Sequence, residues 1–128
     1  MSIYFIQELD TGFIKLGNSV NPEKRLYAIS YSMGKKMKDF KILKVVDGDC
    51  NTEYFYQCLL EGNYVPRKIG GCNSREWFKP SDKVLALVNK SPEWFARIYK
   101  QSLDLRIKYG KNVSFSFDGT NVRCKIKK

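Results

Sequence analysis

Three residues near the start of the chain have types and spacing suited to chemistry on a phosphate: Tyr4, Lys15 and Arg25. Tyr4 lies in a β-rich run, Ile3-Tyr4-Phe5-Ile6, and Lys15 in a second run, Phe13-Ile14-Lys15-Leu16-Gly17. Between them, Asp10-Thr11-Gly12 is a turn signal, since glycine accepts positive φ and aspartate bonds its own backbone. In an antiparallel pair, residues of matching parity share a face, so a register with Tyr4 opposite Gly17 sets Lys15 diagonally beside Tyr4. Gly17 leaves that surface open to a close approach by backbone or phosphate. Asn21 followed by Pro22 is a helix start, an N-cap and then a residue with φ already set for the first helical position. One turn later Arg25 comes back over the strand end. A phenol, an ammonium and a guanidinium around one open patch suit phosphate binding and activation of a nucleophile beside it.

The elements that must hold these groups follow from the rest of the pattern. The helix from Pro22 is expected over residues 22–32, with Leu26, Ile29 and Met33 as its apolar stripe and Gly34 as its end. Residues 40–45 read as a strand with apolar residues on both faces, which predicts a central position. Asp47-Gly48-Asp49 is a turn, and Asn51 or Thr52 can cap a second helix with Glu53 in its first turn. Phe55, Tyr56, Leu59 and Leu60 form the buried side, and Gly62 closes it. Residues 63–75 read as a loop rich in glycine and basic residues, after which Trp77 and Phe78 return to the core. Pro80-Ser81-Asp82 starts a third helix carrying Val84, Leu85 and Val88 inward. Ser91-Pro92 starts a fourth, reaching about residue 109, with Phe95, Ile98, Leu103 and Leu105 apolar. Val113-Ser114-Phe115-Ser116-Phe117 and Val122-Arg123-Cys124-Lys125-Ile126 alternate around Asp118-Gly119 and form the clearest hairpin in the chain. The expected fold class is α/β (α+β): a small antiparallel three-stranded sheet flanked by helices over residues 1–90, extended by a C-terminal helix and hairpin over residues 91–128, packed on or beside it.

The opening run resembles the GIY-YIG endonuclease superfamily. Ser2-Ile3-Tyr4 stands where that family has Gly-Ile-Tyr, and Lys15-Leu16-Gly17 where it has Tyr-Ile-Gly. The spacing between the triplets and on to Arg25 is similar. Arg75-Glu76-Trp77-Phe78 resembles the closing signature of a short branch found in phages, large DNA viruses and some cellular proteins. The likeness covers roughly residues 1–90; Ser2 and Lys15 depart from the family's triplets, and the chain has no histidine. The resemblance implies a metal-dependent endonuclease with Tyr4, Lys15, Arg25 and Glu53 as catalytic residues and Glu53 as the ligand of one Mg²⁺ or Mn²⁺. Tyr4 then serves as general base or water-orienting phenol. A phenol near pKa 10 is a poor base at neutral pH, and an adjacent Lys15 would favour the phenolate. Arg25 would hold the scissile phosphate with its planar fork. Each residue also has a plainer reading: a half-buried strand tyrosine, a solvated lysine or phosphate clamp, an arginine paired with Glu23, and a glutamate favouring a helix N-terminus.

The net charge of +10 and pI near 9.5 point to a polyanionic partner, nucleic acid first; the resemblance implies DNA rather than RNA. Residues 35–44 are lysine-rich, whereas residues 45–66 hold no Lys or Arg but carry Asp47, Asp49, Glu53 and Glu61. An acidic island in a basic chain is what a cation site beside bound phosphate needs. Asn18, Ser19, Lys35, Lys36 and Lys38 are the candidate nucleic-acid contacts. No apolar run reaches membrane-span length and no secretory pattern opens the chain, so an intracellular protein without membrane association is expected. Cys50, Cys58, Cys72 and Cys124 lack paired CxxC spacing, which argues against structural zinc and for reduced thiols. The expected activity is nicking by a monomer or weak dimer. The alternative is a catalytically inactive nucleic-acid-binding module with the same fold.

Overall fold

The computed structural model describes residues 1–69, 72–74 and 76–127. The chain runs β1 (Ser2–Glu8), β2 (Ile14–Ser19), α1 (Pro22–Ser32), β3 (Phe40–Asp47), α2 (Cys50–Leu59), β4 (Arg67–Ile69), β5 (Cys72–Ser74), β6 (Trp77–Phe78), α3 (Asp82–Val88), α4 (Pro92–Tyr109), β7 (Val113–Phe117) and β8 (Val122–Ile126). Single 3-10 turns lie at Met37–Asp39 and Gly110–Asn112. The fold is α+β, an antiparallel sheet flanked by helices and followed by a C-terminal helix and hairpin.

β1 and β2 pair in the expected register, Tyr4 opposite Gly17 and Ile6 opposite Lys15. The turn between them uses Gly12 at φ 76°, with the Gly12 amide donating to the Glu8 carbonyl. The sheet order is β3-β1-β2-β6. The two-residue β6 therefore adds a fourth strand to the three expected, because Trp77 and Phe78 return to the core as a ladder against Lys15 and Ile14. β1, not β3, is central. β3 is an edge strand, and its apolar residues on both faces reflect helices packed above and below the sheet rather than strands on either side.

Strand parity divides the core. Ile3, Phe5, Ile14, Leu16 and Phe78 face α2, α3 and α4, in one apolar cluster with Phe55, Leu59, Val84, Leu87, Phe95, Ile98 and Phe117. Tyr4, Ile6 and Trp77 face the other way and pack with Leu26 and Ile29 of α1. Side chains from the C-terminal helix and hairpin thus share the larger cluster with the main sheet. The hairpin forms with Val113 opposite Ile126 and Phe117 opposite Val122, as its alternation predicts. Leu103 differs from expectation, being largely exposed on α4.

Helix starts follow side-chain caps. The Asn21 carboxamide accepts from the Lys24 amide at 3.1 Å and Pro22 opens α1, as expected. α2 starts earlier than Asn51 or Thr52 would place it, because Asp49 is the cap, accepting from the amides of Asn51 at 3.0 Å and Thr52 at 3.1 Å. The stretch read as a loop over residues 63–75 contains the short antiparallel pair β4–β5. Arg75, part of the closing signature, lies outside the described residues. Cys50, Cys58 and Cys124 are free thiols.

Candidate active site

β6 pairs with β2 only at Ile14 and Lys15, and one further bond joins the Leu16 amide to the Glu76 carbonyl at 2.9 Å. Past that point, among the described residues, β2 has no strand on its outer side. Side chains from both faces of the sheet can therefore meet around Gly17 and Asn18. Tyr4 and Lys15 come from the face covered by α1, while Asn18 shares the opposite face with Ile3, towards α2.

Gly17 makes this crossing possible. A Cβ built on Gly17 would collide with the Oη and Cζ of Tyr4. The phenol lies across the bare glycine backbone, within the electrostatic reach of the Arg25 guanidinium. Arg25 itself is exposed, one turn into α1. On the other side, Glu53 sits half-buried in the first turn of α2. Its Oε2 accepts from the Asn18 carboxamide, and its Oε1 accepts from Gln57 Nε2 at 3.3 Å. Glu53 also lies within the electrostatic reach of Lys15 and Arg25. The four residues singled out in the sequence, Tyr4, Lys15, Arg25 and Glu53, therefore surround one site.

Two details differ from the sequence expectation. Lys15 is not the partner of the Tyr4 phenol. It is buried, it forms an ion pair with Glu76, and its ammonium lies 5.9 Å from the centre of the Trp77 ring. The Tyr4 pKa is raised rather than lowered: burial disfavours the phenolate more than Arg25 favours it. At neutral pH Tyr4 is therefore the protonated phenol. Glu53 is also pushed above its ordinary value, first by burial and then by the negative charge of Glu76, against the opposing bond from Asn18.

Glu76 is the member of the site that sequence reasoning passed over. Its carboxylate holds Lys15 and bears on both Tyr4 and Glu53. The available signal was an acid placed directly before the Trp77-Phe78 pair that returns to the core.

The proposed nucleic-acid contacts divide. Asn18 is engaged with Glu53, and the Ser19 hydroxyl bonds the backbone of Asn21 at 3.1 Å, shaping the entry to α1. Lys35 is not a free cation: it bridges the fully buried carboxylate of Glu8 and Asp10, each at 2.8 Å. Lys36 and Lys38 are exposed in the turn that follows. This cluster lies past the C-terminal end of α1, roughly 15 Å along the helix from Arg25 by helical rise.

Among the described residues, no group of three or more His, Cys, Asp or Glu is placed to hold a metal. Mg²⁺ commonly binds through one or two carboxylates, with waters and substrate phosphate completing the shell. A half-buried carboxylate with Glu76 nearby and the Arg25 cation within electrostatic reach fits that pattern. No helix among the described residues is long and apolar enough to cross a membrane. Compared with models of known protein families, with curated proteins and with solved structures, the chain matches none.

Proposed function

We propose that this chain is a metal-dependent endonuclease that hydrolyses phosphodiester bonds in DNA by nicking one strand per event, as a monomer or weak dimer. The observation that carries the reading is the convergence of Tyr4, Arg25, Lys15 and Glu53 at the open end of β2. Arg25 grips the scissile phosphate and stabilises the charge that grows on its oxygens during in-line attack. Tyr4, held protonated by burial and oriented by Arg25, positions the attacking water or a phosphate oxygen by hydrogen bonding. Glu53, oriented by Asn18 and Gln57, would hold Mg²⁺ or Mn²⁺, which would supply neutralisation of phosphate charge and a water of lowered pKa. Lys15, fixed by Glu76, adds positive potential behind the site. Attack by the water oxygen forms one P–O bond to phosphorus as one P–O ester bond breaks; the water gives up a proton to solvent and the leaving oxygen takes one up, freeing a sugar hydroxyl and leaving a phosphate monoester.

One observation favours the second reading, an inactive binding module of the same fold. Lys15 is buried against Glu76, and Tyr4 is biased away from phenolate, so neither supplies a base. Supercoiled plasmid incubated with Mg²⁺ or Mn²⁺ separates the two. Nicking that is lost in Glu53→Ala supports the nuclease; retention of plasmid by a protein that never nicks it supports the module.

A further inference from the structure

An open cleft of about 570 Å³ is lined by Tyr54, Arg106, Gly110, Lys111 and Val113. It is built where α2, the C-terminal end of α4 and the start of β7 meet, and Tyr54 directly follows Glu53 in α2. The Tyr54 side chain is 62% exposed. The Arg106 guanidinium lies 5.6 Å from the centre of the Phe55 ring and 5.8 Å from that of Phe115. Those contacts hold a cation in place without neutralising it. Among the described residues no carboxylate pairs with Arg106 or Lys111, although Glu61, in the turn after α2, bears on Tyr54. The surrounding C-terminal region is strongly basic: residues 97–128 carry nine of the 23 Lys and Arg but only two of the 13 Asp and Glu.

An exposed ring flanked by two unpaired cations matches one repeating unit of a single-stranded nucleic acid. Every base has a π-face that stacks on an aromatic side chain, and every unit carries one phosphate. We propose that this cleft binds a nucleotide of single-stranded DNA or RNA, with its base on Tyr54 and its phosphates on Arg106 and Lys111. Resting on the nuclease reading, this makes the strand leaving the Glu53 site an unpaired one and gives the C-terminal helix and hairpin the task of holding it.

The test is equilibrium binding of end-labelled oligothymidylate, oligouridylate and a DNA duplex in EDTA, across a salt series, so that cleavage plays no part. Tyr54→Ala should weaken binding to the single strands about tenfold while leaving the duplex nearly unchanged, since paired bases cannot stack on it. Lys111→Gln and Arg106→Gln should each lower the slope of log K against log salt by about 0.7 on single strands. Because Arg106 also packs on Phe55 and Phe115, Arg106→Lys is paired with it and should retain the slope if the fold is intact. The two single-strand arms tell DNA from RNA. Single-strand binding that is unaffected by Tyr54→Ala overturns the cleft and leaves nicking untouched. Absence of wild-type binding to every probe at low salt overturns the cleft and the nucleic-acid reading together.

Discussion

Glu53 is held where its charge is least comfortable. Its pKa is raised from an ordinary 4.5, chiefly by burial. A raised folded-state pKa means the native protein prefers the neutral carboxyl. Stability is therefore fully present below the ordinary carboxylate range and falls as pH rises through the raised value. Glu53→Gln removes that loss, so its melting temperature should gain on wild type between acid pH and neutrality; a constant or shrinking gap would contradict the assigned burial effect. A site that sacrifices stability for a poised carboxylate is typical of function. The same carboxylate must be ionised to hold a cation, so cleavage should fade on the acid side of neutrality. No further gain is expected as Tyr4 begins to ionise, because the proposed mechanism uses the protonated phenol that burial favours. At Arg25, replacement by lysine keeps the charge but loses the bidentate fork, and the single-turnover rate should fall about a hundredfold. An Arg25→Lys protein with wild-type rate would remove the arginine from the phosphate.

The element that sets the geometry is β2, and Gly17 is its critical position. Any side chain there meets the Tyr4 ring, so Gly17→Ala should destabilise by about 1–3 kcal/mol and displace the phenol from Arg25. In a double-mutant cycle with Tyr4→Ala the two costs should fall short of additive, since removing the ring removes the collision. Full additivity in denaturant titrations would show that Tyr4 does not lie over Gly17. These contacts show which parts of the site were legible in sequence. Parity and the Asn21-Pro22 start correctly placed Tyr4, Lys15 and Arg25, because strand alternation and helix capping are local rules. The Lys15–Glu76 pair joins residues far apart in the chain and depends on β6, a strand too short to have a period of its own. The edge position of β3 was misread for a related reason: apolar residues on both faces report coverage by helices, not neighbouring strands. The Asp49 cap was missed because Asp47-Gly48-Asp49 also reads as a turn, and here it serves as both.

For the molecule as a whole, charge location matters more than the total of +10. Lys35 belongs to the fold: it neutralises Glu8, whose side chain is fully buried. Lys35→Ala should lower the melting temperature markedly, since a buried carboxylate left without that cation is costly. It should also leave the salt dependence of DNA binding unchanged. A flattened salt slope with unaltered stability would return Lys35 to the nucleic-acid surface. Fold class, helix positions and the C-terminal hairpin were readable from periodicity and caps. That the hairpin's Phe115 and Phe117 would pack against α2 and α4 was not, since alternation fixes a face but not its partner.

The central claim is that the cluster at the end of β2 is a working phosphodiesterase site, and its most direct test is conversion of supercoiled plasmid to open circles with Mg²⁺ or Mn²⁺. Wild-type protein should nick in a metal-dependent manner that EDTA abolishes, and Glu53→Ala should lose nicking while keeping the wild-type circular dichroism spectrum and DNA affinity. Nicking that persists unchanged in Glu53→Ala, or a well-folded wild type that binds plasmid yet never nicks it with either metal, would contradict the assignment.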